Sequence, residues 1–137
     1  VSTALQAART RLASVDKSPA RAARWFASAG YAVLPLGVQW SAVRVRGRLG
    51  IDAWVRVGGP AIHDPADQAV YFLLPPDATW WPCRDGEFLA DGAWLSVPDP
   101  ARAEPPGPYW LSPLDGYLVR PEALKTVLRT LTEEAVG

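Results

Sequence analysis

Residues 25 to 37 read WFASAGYAVLPLG, and the reading of this stretch decides the fold. Just upstream, in DKSPA, Ser18 has the chemistry of a helix N-cap, and Pro19 stands at the first helical position, where its missing N–H costs nothing. Ala22, Trp25, Phe26 and Ala29 then fall at i, i+3, i+4 and i+7, with Arg21 and Arg24 off that stripe. This spacing predicts an amphipathic helix with a core-facing side, ended by Gly30. YAVLPL predicts a strand entering the core, and Pro35 places it at a sheet edge or a strand end.

Outward from this entry the same periodicities supply the other elements. Residues 2 to 14 predict a weakly apolar helix with Leu5, Ala8 and Leu12 on one stripe, suited to a docking arm. In SAVRVRG, Val43 and Val45 alternate with Arg44 and Arg46, so period two puts the valines on one face and the arginines on the other. RLGIDAWVRV predicts a short helix packing Leu49, Trp54 and Val57, although Gly50 weakens it. GGPAIHDPADQ contains a short strand and a turn, and AVYFLL is an unbroken apolar run, the mark of a strand covered on both faces. PPDATWWPCRDGEF reads as a turn-rich connection, AWLSVPDP and PYWLSP as short strands, and Pro121 opens a helix with Leu124, Val127, Leu128 and Leu131 at helical spacing. The order predicts an α+β fold, a mixed or antiparallel sheet covered by helices. It divides into an N-terminal helical arm over 1–18 and a single α+β domain over 19–137.

A chain of 137 residues is large enough to bury a core without staples. Its one cysteine, Cys83, excludes an internal disulfide framework, and with His63 as the one histidine it leaves no ligand set for a structural zinc. No metal and no cofactor is expected. No run approaches the ~20 apolar residues that span a bilayer, and no apolar signal core opens the chain, so a soluble, cytoplasmic protein is expected. The net charge is zero but unevenly spread. Residues 1–60 carry nine Lys/Arg against Asp16 and Asp52, a balance of +7, whereas 61–137 carry five against twelve Asp/Glu, a balance of −7. Such asymmetry marks either a phosphate-binding face or two halves that neutralise each other within the fold or between chains.

The ordered series WFASAGYAVLPL, AVYFLLPP, GAWLSVP, PYWLSP and a closing helix, over roughly residues 19 to 131, resembles the N-terminal primase-polymerase domain of bifunctional DNA primase/polymerases. These belong to the archaeo-eukaryotic primase superfamily. The resemblance implies a reduced version of a modified RNA-recognition-type α+β core. It also implies where chemistry would sit: two acidic residues, one residue apart on a strand, hold divalent metals for phosphoryl transfer, which needs hard oxygen ligands. The matching strand here is AVRVRG, so Arg44 and Arg46 stand where carboxylates belong. The family's histidine ahead of its aromatic strand is replaced by Gln68 and Ala69, and its lysine-proline pair is absent from GVQWSAV. No family catalytic residue carries over, which implies a degenerate domain that is not an enzyme.

Three functional readings follow. In the first, Arg44 and Arg46, with Arg48 if the strand continues, grip the phosphate of a nucleotide or nucleic acid; the alternative is a solvated strand face paired with the acidic half. In the second, the chain is a protein-interaction or regulatory module, homodimeric in one version, that uses Trp80, Trp81 and Trp110 as exposed anchors, while Trp25 and Trp54 take core positions. In the third, His63, Asp64 and Asp67 serve a small metal-dependent hydrolase or nucleotidyl transferase. Against it, adjacent strand residues point to opposite faces, and DPAD is an ordinary turn sequence. Cys83, beside Arg84, is read as structural.

Overall fold

The computed structural model describes residues 3–80, 85–114 and 117–136. Among these residues four helices and seven strands follow one another as α1 (Thr3–Ala13), α2 (Pro19–Ala29), β1 (Tyr31–Pro35), β2 (Ser41–Arg46), α3 (Gly47–Val57), β3 (Ala61–Asp64), β4 (Ala69–Leu74), β5 (Glu87–Leu89), β6 (Trp94–Pro98), β7 (Tyr109–Ser112) and α4 (Pro121–Val136). The fold is α+β. Its main sheet has the order β5-β2-β4-β3-β7, every neighbouring pair antiparallel, and β1 and β6 form a separate antiparallel ribbon.

The opening stretch behaves as its sequence predicts at its ends and differs in the middle. Pro19 starts α2, and Gly30 closes it with φ +82° and an N–H donated to the Phe26 carbonyl. Ser18 is the N-cap residue but makes no side-chain cap bond. Ala22 and Phe26 are buried, whereas Trp25 is 37% exposed and Ala29 is exposed, so the core stripe of α2 is narrower than its spacing predicts. Trp25 instead lies beside the Arg21 guanidinium, 5.3 Å from the ring centroid.

Alternation along the main-sheet strands builds two cores, one on each face. Val43, Val45, Val70, Phe72 and Leu74 pack under α3 and α4 with Leu124 and Leu128. Ala42, Ile62, Ala69, Tyr71, Leu73 and Trp110 face the other way and meet α1, α2 and the β1–β6 ribbon. All six residues of β4 are buried, as a strand central to the sheet and covered on both sides requires. Gly50 is a close-approach glycine: a Cβ there would meet the Val45 carbonyl oxygen at 2.6 Å and the Val70 Cγ2 at 2.9 Å, so α3 lies on the sheet because this position has no side chain. β5, inside the stretch read as turn-rich connection, is a strand the sequence does not announce.

From α1 and the short connection after it, Leu12, Ala13 and Val15 are buried in the same core as Phe26 and Trp110, and Arg9 makes a bidentate ion pair with the buried Asp99. No helix among the described residues is long and apolar enough to cross a membrane.

Candidate functional site

Arg44 sits mid-strand in β2, and antiparallel register places Glu87 of β5 on one side of it and Tyr71 of β4 on the other. The row continues through Ile62 of β3 to Trp110 of β7. Opposite charges across a strand pair attract at short range, and the Arg44 guanidinium donates to the Glu87 carboxylate. It also donates to Asp67 Oδ2 at 3.2 Å, and the Tyr71 hydroxyl donates to the same oxygen at 2.7 Å. Asp67 reaches this position from the β3–β4 turn, where Gln68 adopts φ +51°, and Arg46 lies 3.9 Å from its other oxygen.

Each titration follows from these contacts. The Tyr71 hydrogen bond, and after it the Arg44 and Arg46 charges, hold the Asp67 carboxyl below its ordinary value against the opposing effect of burial. Burial, and then the bond to Asp67, pushes the Tyr71 phenol up to about 12. Burial works against the Arg44 charge, but the bonds to Glu87 and Tyr71 outweigh it, so its pKa is raised. The Arg44 Nε is buried without a hydrogen-bond partner among the described residues. The cluster is therefore a neutralised, hydrogen-bonded end to one sheet face, with Arg46, whose side chain is 67% exposed, on its rim.

The other sequence-derived candidates scatter. Arg48 does not extend the arginine face, because β2 ends at Arg46 and Gly47 begins α3; Arg48 pairs with Asp52 one helical turn on, at 3.2 Å. His63 Nδ1 lies 2.9 Å from the Tyr109 hydroxyl. Asp64 accepts the Ala66 N–H at 3.1 Å, which closes the turn. Asp67 is held by Arg44 and Tyr71, so these three residues each answer to a different partner. Among the described residues no group of three or more His, Cys, Asp or Glu side chains is placed to hold a metal ion.

The aromatic candidates require correction. Trp110 is not exposed: it is 5% accessible and its indole N–H donates to the Pro98 carbonyl at 3.0 Å, because β7 turns this side chain under α1. Trp80 is half-buried against the α3–α4 core with Lys125 Nζ 5.1 Å from its ring centroid. Trp81 and Cys83 lie outside the described residues. Trp54 packs at the core as expected, its indole donating to Ser112 Oγ at 3.0 Å.

Among the described residues the exposed aromatics are Trp25 on α2, Tyr117 ahead of α4, and Tyr31 and Trp94, which share the β1–β6 ribbon. Tyr31 faces Pro98, Val33 faces Ser96 and Pro35 faces Trp94. Bonds from Asp99 N to Gly30 O and from Leu36 N to Ala93 O set the hydrogen-bonded pairs at the even-numbered β1 residues. Pro35 and Pro98 thus occupy non-hydrogen-bonded positions, where a missing N–H leaves the ladder intact and blunts the outer edges. Ala32, Leu34, Leu95 and Val97 are buried, while the opposite face presents Tyr31 at 38% and Trp94 at 54% exposure. The signal was present as period two in YAVLP and WLSVP. Comparison with family models, with curated proteins and with solved structures returns no match to this chain.

Proposed function

We propose that this chain is a non-catalytic binding module on a reduced primase-polymerase-like scaffold, and that its outward β1–β6 face docks a second copy of the chain. The scaffold reading draws support from the run β2-α3-β3-β4, in which β4 lies between β2 and β3, the split β-α-β arrangement of RNA-recognition-type sheets. Arg44 and Arg46 occupy the strand to which the resemblance assigns carboxylates, and the nearby Asp67 and Glu87 already neutralise them.

The observation that carries the reading is the ribbon face. Each end of it presents one exposed aromatic, Tyr31 across from the buried Pro98 and Trp94 across from the half-buried Pro35. A two-fold axis across its middle sets each aromatic end against the opposite end of the partner, the self-complementarity that an isologous dimer needs. Charge favours this over phosphate recognition. Of the nine basic residues in 1–60, six are engaged in ion pairs: Arg9, Arg21, Arg44, Arg46, Arg48 and Arg56.

Sedimentation equilibrium tests the reading. The wild-type chain is expected to dimerise with little salt dependence, and Tyr31→Ser with Trp94→Ser to sediment as a folded monomer. A wild type that stays monomeric overturns it. If that monomer binds an oligonucleotide, with an affinity that falls steeply with salt and with Arg46→Ala, phosphate recognition takes its place.

A further inference from the structure

We propose that the groove between α1 and the β7 side of the main sheet is a binding site for a small amphipathic carboxylate. The groove encloses about 310 Å³, the lower end of the range for small-molecule sites. Leu5, Ala8 and Leu12, the apolar stripe of α1, form one wall; Trp40, Trp110 and Leu118 form the other. Such a lining takes an alkyl chain or a single ring and gains by removing it from water.

The polar part of the lining sets the ligand's head group. Among the described residues that line the groove, Arg11 is the one charged residue and Gln39 the second polar one. Both are exposed, which puts them at the rim, while the tryptophans are buried beneath. Among the described residues no carboxylate lines the groove and Arg11 has no ion-pair partner, unlike most arginines of its half of the chain. A guanidinium above an apolar wall, with an amide beside it, complements an anion on an apolar body, and the planar fork of arginine matches a carboxylate with two parallel bonds. The wall also contains the Trp40 indole N–H, buried and without an acceptor among the described residues.

The test is a titration of the ¹⁵N-labelled chain with sodium octanoate and, in parallel, with 1-octanol, followed by the indole N–H resonances. Octanoate is expected to shift the Trp40 and Trp110 resonances and leave those of Trp25 and Trp94 in place. Arg11→Gln, an exposed substitution that leaves the fold intact, is expected to weaken octanoate about tenfold, in keeping with one lost charge-assisted contact, and to leave octanol unchanged. Ala8→Phe, which fills the groove from α1, is expected to abolish both. Absence of a Trp40 or Trp110 shift at low-millimolar octanoate overturns the site. Equal affinity for octanoate and octanol, or an Arg11→Gln variant that binds octanoate as well as the wild type, overturns the carboxylate.

Discussion

The two faces of the main sheet are built from alternate residues of the same strands, yet they differ in kind. Toward α3 and α4 the strands present Val43, Val45, Val70, Phe72 and Leu74, and two helices seal them. Toward α1, α2 and the ribbon they present Ile62 and Leu73 together with smaller or polar-tipped residues, Ala42, Ala69, Tyr71 and Trp110, and the face ends in the Arg44–Asp67–Glu87 cluster. Its cover is assembled from three separate pieces, and the groove opens between α1 and the sheet. A face sealed by two helices packs closed; a face covered by a patchwork leaves a groove at one of its seams.

The contrast breaks most visibly at its tightest point. Phe72→Ala on the sealed face is expected to cost about 3–5 kcal/mol in urea unfolding, because a fully buried ring leaves a cavity in a packed core. Leu5→Ala on the groove wall, half-buried already, is expected to cost well under half of that, since the groove is open before the change. Equal costs would erase the distinction between the faces.

A smaller effect separates the polar end of the second face. Asp67→Asn removes the ionised acceptor shared by Arg44 and Tyr71 and is expected to cost about 1–2 kcal/mol at neutral pH. The folded-state pKa of Asp67 lies below its unfolded value of 3.8, so the carboxylate's contribution is complete above that value. It is lost as pH falls through the lower folded value, and the difference between wild type and variant should shrink accordingly. Tyr71 runs the other way: raised from 10.0 to about 12, its neutral form stabilises the fold below pH 10.0, and that contribution is lost as pH rises toward about 12. Tyr71→Phe should remove the late step from a tyrosinate absorbance titration.

The smallest effect lies outside both faces. Arg48→Ala deletes an exposed i,i+4 pair with Asp52 and is expected to change stability by less than about 0.5 kcal/mol. A larger loss would mean that Arg48 belongs to the cluster after all.

Much of this contrast was legible in the chain. Val43 and Val45 against Arg44 and Arg46 are separated by alternation alone, and the unbroken AVYFLL run marks the doubly covered strand. Three features were not. β5 has three residues and no apolar period of its own, so it exists because the β2 edge was open to pair with it. Arg48 continues the alternation on paper, but Gly47, at φ +68°, ends the strand before it. Trp110 and Trp25 exchange their expected environments because exposure depends on which element lies above a side chain, and local periodicity contains no such information.

The sequence by itself determined the α+β order of elements, the sidedness of β2, the glycine stop after α2 and the apolar stripes of α1 and α4. These depend on backbone dihedrals and on the 3.6 and 2.0 residue periods, which neighbouring residues set among themselves. Only the tertiary structure decided that the basic and acidic halves neutralise each other through Arg9–Asp99, Arg44–Glu87 and Arg56–Glu134. The same holds for the grouping of Asp67 with Arg44 and Tyr71, and for the groove that forms where α1 meets Trp40 and Trp110. Apart from the Tyr71–Asp67 bond, those outcomes join residues tens of positions apart, and their positions follow from sheet order and packing, which no local pattern specifies.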